Sequence, residues 1–267
     1  MPFLELSTSP HAPGILPVTI HYRDLGTGPV VAFLHGGWGY GTYPIDRQIE
    51  ALSSAVRFII PDRSGHGRST HFPGPLPTDF HRRAADEMLL VLDKLKIGRA
   101  IFWGHSDGAV IAALIGLRAP ERCQQLILEA FHFHRDKPNS RSFFQKFARH
   151  PGEVSEKMHK LLLADHGAKF WKNVVQRNCR VWLELAAESI GLHQDLYGGR
   201  LGELKVPVTF VHGRGDPRTE PGEIERAHRT VGGSKLRFIE TGRHSPHSES
   251  ASSEKCNEIF RELMGIC

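Results

Sequence analysis

The sequence has few cysteines, no long apolar segment and no concentrated run of basic residues, and each absence excludes a class of protein. Four cysteines in 267 residues, without CxxC spacing, do not form a disulfide framework or a zinc-finger pattern, so free thiols are expected. The longest apolar run, residues 109–117, has nine residues, far short of a membrane span. The formal net charge is +5, yet the lysines and arginines are dispersed, which disfavours nucleic-acid binding. The four cysteines are Cys123, Cys179, Cys256 and Cys267.

The first residues also lack a secretory pattern, since residues 1–14 contain no charged region followed by an apolar one. Together with the free thiols, this predicts a soluble cytoplasmic protein with no membrane or nucleic-acid partner. The expected ligand is a small molecule, and no cofactor or metal is predicted. The oligomeric state stays open, with a homodimer as one alternative.

One segment carries a strong chemical signal. Residues 101–108, IFWGHSDG, form a strand-like run that ends in a Gly-x-Ser-x-Gly turn, and an apolar helix-like stretch follows at once. This order is typical of a nucleophile elbow, which lifts one serine hydroxyl out of a sheet. Ser106 is therefore the candidate nucleophile. The motif alone is short enough to occur by chance, so its context has to decide.

The context supports a catalytic triad. In such proteins an acid and then a histidine follow the serine, each in a loop after a strand. Two later strand-like runs end in HGRGDP and ETGRHSPH, which places Asp216 and His244 in such loops. We predict that His244 is the base and that Asp216 orients its ring. Glu129 and His247 remain the alternative acid and base.

A glycine-rich loop, His-Gly-Gly-Trp-Gly, follows the strand-like run 30–34 and exposes backbone N–H groups that could bind an oxyanion. The backbone N–H groups of Gly37 and Asp107 are the predicted donors. The carboxylate of Asp107 has two interpretations: it stabilises the helix N-terminus through the macrodipole, or it recognises a cationic acyl group. Further candidates for substrate contacts are Trp38, His105, Phe131, His132 and Trp182.

Strand-like runs alternate with helix-length segments along most of the chain, which predicts an α/β fold with a mostly parallel, doubly wound sheet. One helix is expected at about 78–95, with Thr78 as its N-cap. Residues 131–202 break the alternation and read as amphipathic helices interrupted near Pro151 and Gly167. We therefore predict a core of residues 1–130 and 203–267 with a helical cap, residues 131–202, inserted into it.

The motifs resemble those of serine hydrolases with the α/β-hydrolase fold, over nearly the whole chain. Residues 61–69, PDRSGHGRS, are similar to the D-x-R-G-x-G-x-S turn of that family, although Ser64 stands where the pattern has arginine. The GHSDG elbow and the cap length are most similar to the biphenyl-hydrolase-like (valacyclovir hydrolase) subgroup. In valacyclovir hydrolase the aspartate corresponding to Asp107 faces the α-amine of the substrate, so the resemblance implies a preference for cationic acyl groups as one alternative.

The resemblance implies hydrolysis of an ester, thioester or activated amide through an acyl-enzyme on Ser106. Carbon–carbon bond hydrolysis and lactone opening with the same triad remain alternatives, as does a small-molecule receptor with slow or no turnover. The segment His132-x-His134-x-Asp136 is a fragment of a metallohydrolase signature, but Lys137 stands where the next histidine would be. Pocket lining is the favoured interpretation of this segment.

Overall fold

A computed structural model describes residues 2–189, 191 and 194–266 of the chain. Its described part contains eight strands: β1 (Phe3–Leu6), β2 (Val18–Gly26), β3 (Val30–Leu34), β4 (Arg57–Pro61), β5 (Ala100–His105), β6 (Cys123–Glu129), β7 (Val208–Gly213) and β8 (Lys235–Ile239). They form one sheet in the order β1-β2-β4-β3-β5-β6-β7-β8. The six strands from β4 to β8 in this order are parallel, and β2 joins them antiparallel, with β1 antiparallel to β2 at the edge.

Helices cover both faces of the sheet, as predicted for a parallel sheet. They are α1 (Asp46–Leu52), α2 (Phe80–Lys94), α3 (Asp107–Arg118), α4 (Arg141–Arg149), α5 (Glu156–Ala187), α6 (Glu223–Thr230) and α7 (Ser253–Met264). Along β3, Ala32 and Leu34 point into an apolar cluster shared with α2, α3 and α6, whereas Val31 and Phe33 point into a second cluster with α1 and α7. This alternation follows from the two-residue period of a strand.

Two local predictions differ from the structure. Helix α2 begins after Asp79, not after Thr78, and no side-chain hydrogen bond caps it, so the position of the first turn is set by packing of Phe80 in the core. Strand β1 was not predicted, because its four residues carry no period strong enough to distinguish an edge strand from a loop.

The described part of the segment between β6 and β7 contains the helices α4 and α5. Helix α4 ends at Arg149, before Pro151, and α5 contains a break at Gly167, whose φ of 73° lies in the left-handed region. Both helices contribute to a third apolar cluster, which also contains Trp38 from the loop after β3. Residues 190, 192 and 193 of this segment lie outside the described residues.

The described cysteines, Cys123, Cys179 and Cys256, are buried free thiols. Cys267 lies outside the described residues. None of the helices in the described chain combines the length and the apolar composition that crossing a membrane requires.

Candidate active site

The turn between β5 and α3 holds Ser106 in an unusual backbone conformation. Its φ of 55° and ψ of −120° are strained for a residue with a side chain, and such strain concentrates at functional sites. The glycines at 104 and 108 are required by contact: a Cβ on Gly104 would lie 2.1 Å from the carbonyl oxygen of Gly108, and one on Gly108 would lie 1.8 Å from that of Leu34. The strand, turn and helix therefore pass too closely for larger residues, and the serine projects from their apex.

The structure brings Ser106, His244 and Asp216 together. His244 Nε2 lies 3.2 Å from Ser106 Oγ, and His244 Nδ1 lies 2.9 and 3.0 Å from the two Asp216 carboxylate oxygens. Burial alone would raise the pKa of Asp216, but His244 and the N–H of Arg218 hold that pKa well below its usual range. An ionised carboxylate only accepts hydrogen bonds, so Nδ1 of His244 carries the proton and Nε2 is left free to accept one. This arrangement suits a base beside a nucleophile.

The two alternative candidates, Glu129 and His247, pair with each other behind this site. His247 Nδ1 lies 2.8 Å from Glu129 Oε1, and Trp103 Nε1 donates to the second oxygen at 2.9 Å. Burial disfavours both charges, yet the mutual attraction leaves the pKa of Glu129 lowered and that of His247 raised. His105 lies between the two histidines, with its ring centroid 4.9 Å from His247 and 5.2 Å from His244. The pair therefore supports the back of the site, away from the serine.

A second histidine touches the serine. His132 Nε2 lies 3.2 Å from Ser106 Oγ, the same distance as His244 Nε2. Burial, and then the charge of Lys137, hold the pKa of His132 well below its usual range, so its ring is neutral. A serine hydroxyl has one proton, so if Ser106 donates it to His244 Nε2, the contact with His132 is a hydrogen bond from His132 Nε2–H to Oγ. The sequence predicted His132 as a substrate contact, with a fragment of a metallohydrolase signature as the alternative, but not as a partner of Ser106.

The loop after β3 is held by an arginine beneath it. Arg63 is buried and donates to the carbonyl oxygens of His35 and Gly36, the latter at 3.0 Å. In a trans peptide the carbonyl and the following N–H point in opposite directions, so the N–H of Gly37 points away from Arg63. The N–H of Asp107 belongs to the first turn of α3, where no intrahelical acceptor exists. Gly37 and Asp107 both line the cavity.

The carboxylate of Asp107 is buried and already bound by the protein. Its Oδ1 accepts from His81 Nε2 and Trp182 Nε1, both at 3.1 Å, and its Oδ2 accepts from Asn178 Nδ2 at 2.7 Å. Burial would raise the pKa of Asp107, but His81 and Arg63 bring it well below its usual range. A cationic substrate would have to compete with three protein donors for these oxygens.

The cavity at the serine is narrow, with a volume of ≈ 50 Å³. Phe131 lies elsewhere, in the core, where its ring stacks on Tyr197 at 5.4 Å, because its side chain points to the opposite side of the chain from His132. Sequence reasoning did not find three wall residues, Tyr43, Asn178 and Arg218, since no motif marks them. The lining residues are Gly36, Gly37, Trp38, Tyr43, His105, Ser106, Asp107, His132, Phe143, Phe144, Asn178, Trp182, Arg218 and His244.

The residues of the metallohydrolase-like segment point to different partners. His132 contacts the serine, and Asp136 forms an ion pair with Arg141 at 2.9 Å. In the part of the chain that the structure describes, no three or more histidine, cysteine, aspartate or glutamate side chains are grouped so that they could hold a metal ion.

Comparison with known proteins agrees with this architecture. A family model described as the alpha/beta hydrolase fold matches residues 29–150. The human protein named serine hydrolase BPHL is 24% identical over 254 residues, which cover 92% of this chain and 83% of the human protein. The pimeloyl-[acyl-carrier protein] methyl ester esterase of Nitrosomonas europaea is 35% identical over 112 residues, 42% of this chain and 41% of that enzyme.

Solved structures show the same architecture over nearly the whole length of the chain. A thermophilic esterase from Thermogutta terrifontis, in a structure with malate bound, superimposes with a TM-score of 0.71 at 21% identity. The match covers 99% of this chain and 98% of the esterase. The sheet order, the elbow, the family model and these solved structures agree on the fold: the chain has the α/β-hydrolase fold.

Proposed function

We propose that this hydrolase cleaves small carboxylic esters through an acyl-enzyme on Ser106. The observation that carries the proposal is the continuous contact from Ser106 Oγ through His244 to Asp216, at 3.2 and 2.9 Å. A serine hydroxyl is a weak nucleophile at neutral pH and needs a base within this reach. A thioester or activated amide would react by the same steps.

In the acylation step, Ser106 Oγ attacks the ester carbonyl carbon while His244 Nε2 takes the hydroxyl proton. The carbonyl oxygen becomes an oxyanion, which the N–H groups of Gly37 and Asp107 stabilise. Loss of one such donor costs about 2.7–4 kcal/mol of transition-state stabilisation in other enzymes. The bond to the alcohol oxygen then breaks, and His244 delivers the proton to the leaving alcohol.

Deacylation repeats these steps with water as the nucleophile. His244 removes a proton from the water, the resulting hydroxide attacks the acyl carbon, and the bond between that carbon and Ser106 Oγ breaks. The proton on His244 returns to Oγ, so the enzyme is restored and a carboxylic acid leaves. Throughout both steps Asp216 keeps the proton of His244 on Nδ1 and stabilises the imidazolium.

We also propose that residues 131–202 act as a cap over a core of residues 1–130 and 203–267. Four side chains of α4 and α5 support this division, because they line the cavity above the serine. Two of them, Phe144 and Trp182, stack with ring centroids 5.7 Å apart. The narrow cavity favours esters with short acyl chains. The four side chains are Phe143, Phe144, Asn178 and Trp182.

The test combines active-site labelling with turnover. A fluorophosphonate probe and p-nitrophenyl acetate, butyrate and octanoate are applied to the wild type, to Ser106→Ala and to Ser7→Ala, an exposed serine that serves as a matched control. We expect stoichiometric labelling and multiple turnover in the wild type and in Ser7→Ala, and neither in Ser106→Ala, with acetate or butyrate preferred over octanoate. A folded wild type without Ser106-dependent turnover would overturn the proposal and favour a receptor.

A further inference from the structure

One arginine in the cavity wall forms no hydrogen bond or ion pair through its guanidinium with the described residues. Arg218 follows Asp216 in the loop after β7 and lines the cavity, with its Cζ 3.3 Å from the centroid of the Phe143 ring. Phe143 in turn stacks on Trp38, with centroids 5.4 Å apart and planes 18° from parallel. The guanidinium is therefore held on an aromatic platform in the cavity wall. Burial lowers the pKa of Arg218, but an arginine side chain stays charged in this setting.

No acceptor in the described part of the chain is bound to this guanidinium. Within residues 2–189, 191 and 194–266, no carboxylate oxygen lies within 4.0 Å of it and no acceptor receives a hydrogen bond from it. The buried arginines Arg63 and Arg177 differ from Arg218 in this respect, because both donate hydrogen bonds to backbone carbonyl oxygens. Asp216 attracts Arg218 at longer range, but the oxygens of Asp216 are bound by His244 and by the loop itself.

The negative charge in the cavity wall cannot compensate for Arg218. Asp107 is the acidic residue among the lining residues, and its two oxygens accept from three protein donors. Arg243 adds a second positive charge near Arg218, which also lowers the pKa of Arg218. The charged group of the cavity that is free to bind a ligand is therefore the Arg218 guanidinium, and a cation of this kind binds an anionic ligand.

We propose that Arg218 is a carboxylate-binding subsite and that the substrates of this enzyme are small esters that also carry a carboxylate. A guanidinium can hold a carboxylate through two parallel N–H···O bonds, which fixes both its position and its orientation. Because Arg218 and Ser106 line one narrow cavity, the carboxylate and the ester belong to one short molecule. Half-esters of short dicarboxylic acids carry it on the acyl side, and acyl esters of hydroxy acids carry it on the alcohol side.

This inference rests on the proposed esterase function and is tested on the same enzyme. We would measure kcat/KM by pH-stat titration for monomethyl glutarate against methyl valerate, and for 3-acetoxypropanoate against propyl acetate. The variants are Arg218→Gln and Arg218→Lys. The matched control is Arg214→Gln, an exposed arginine of the same loop that pairs with Glu240 at 3.0 Å.

The wild type should prefer one carboxylate ester over its neutral counterpart by at least about tenfold, and the pair that shows the preference identifies the side of the ester. The ratio of the two kcat/KM values should fall about 10- to 100-fold in Arg218→Gln, the range that corresponds to one charged hydrogen-bonded pair. Arg218→Lys should keep a higher ratio than Arg218→Gln, and Arg214→Gln should have the same ratio as the wild type. In the wild type alone, glutarate should inhibit competitively and glutaramide should not, which tests the subsite even where a variant fails to fold.

Two failures are distinguishable. Ser106-dependent hydrolysis of neutral esters without any preference for a carboxylate, or without inhibition by glutarate, would overturn the subsite and leave the esterase proposal standing. A wild type that hydrolyses no ester in a Ser106-dependent way would overturn the proposed function, and with it this inference.

Discussion

His132 Nε2 and Ser106 Oγ are 3.2 Å apart, so the serine hydroxyl contacts two histidines rather than one. The two histidines are not equivalent. His244 is paired with the buried Asp216 through Nδ1, whereas Nδ1 of His132 is buried and has no partner among the described residues. An unpaired ring nitrogen without a proton is consistent with a neutral His132 that carries its proton on Nε2 and donates it to Oγ.

We predict that the hydrogen bond from His132 stabilises negative charge on Ser106 Oγ during attack and when Oγ leaves in deacylation. His132→Phe should therefore lower kcat about 10- to 100-fold, because a hydrogen bond to a charged group contributes about 1.5–3 kcal/mol. His132→Gln retains an N–H donor, so its kcat should fall much less than that of His132→Phe. The measurement is the rate of the acylation burst and of steady turnover at several pH values, with thermal unfolding as a check on folding. Equal rates for the two variants would contradict the role of the donor.

The sequence predicted the three residues of the proposed triad, which the structure brings within hydrogen-bond distance of one another, but it did not predict the contact of His132 with Ser106. Ser106, Asp216 and His244 each follow a strand in a turn rich in glycine or proline, and such local patterns can be read without knowing the fold. The contact of His132 with the serine depends on how the chain leaves β6, and the positions of Asn178 and Arg218 depend on how separate segments pack on the sheet. Packing over long sequence distances leaves no local pattern, which is also why Phe131 was expected in the cavity.

The hydrogen bonds of Asp107 predict a structural cost for its removal. In Asp107→Asn an NH₂ group replaces one carboxylate oxygen. This NH₂ group then faces side chains that donate hydrogen bonds to Asp107, so at least one of these hydrogen bonds is lost. We expect the free energy of unfolding at pH 7 to fall by about 1–3 kcal/mol, the usual cost of leaving buried polar groups unsatisfied. Because the pKa of Asp107 is lowered by folding, its contribution is present above the unfolded pKa of about 3.9 and is lost as the pH falls below it.

Urea unfolding of the wild type and of Asp107→Asn at pH 7, 4 and 3 measures this effect. The difference between the two proteins should be largest at pH 7 and should decrease towards pH 3. Asp93→Asn serves as the matched control, because Asp93 is an exposed carboxylate that pairs with Arg122, and its replacement should change the free energy of unfolding by less than about 1 kcal/mol. A difference that stays constant between pH 7 and 3 would contradict the contribution of the charge of Asp107.

The buried pair of Glu129 and His247 makes a separate prediction. Both side chains are fully buried and 2.8 Å apart, so Glu129→Gln leaves His247 without its counter-charge. Removal of one partner of a buried ion pair costs about 3–5 kcal/mol, and we expect a loss of that order. An exposed pair offers the control: Glu262→Gln, which removes the partner of Arg237, should leave the free energy of unfolding nearly unchanged, because solvent screens an exposed pair.

The pH dependence of this pair has a definite sign on each side. The lowered pKa of Glu129 gives stability that is present above about 4.3 and lost as the pH falls, and the raised pKa of His247 gives stability that is present below about 6.5 and lost as the pH rises through its folded value. The difference between wild type and Glu129→Gln should therefore be largest between about pH 4.3 and 6.5. Unfolding measured from pH 4 to 9 tests this, and a difference that grows steadily up to pH 9 would contradict it.

The last prediction concerns the loop that carries the proposed oxyanion donor. A Cβ on Gly37 would lie 2.3 Å from Asn178 Nδ2 and 2.5 Å from Asp107 Oδ2, so an alanine there would push into the hydrogen bond between these two side chains. Either this bond breaks or the loop moves, and a moved loop carries the N–H of residue 37 away from the oxyanion. Loss of an oxyanion donor lowers kcat about 100- to 1,000-fold in other enzymes.

We therefore expect Gly37→Ala to slow fluorophosphonate labelling and to lower kcat by at least about tenfold while the protein stays folded. The control is Gly74→Ala, since a Cβ at Gly74 meets nothing within 4 Å and its φ is compatible with alanine. The double variant Gly37→Ala/Asn178→Ala separates the two responses. If Gly37→Ala acts by breaking the Asn178 bond, the second change should add little, whereas if the loop itself has moved, removing the Asn178 amide should let it return and recover part of kcat. Full activity in a folded Gly37→Ala would exclude the N–H of Gly37 as a position-sensitive donor.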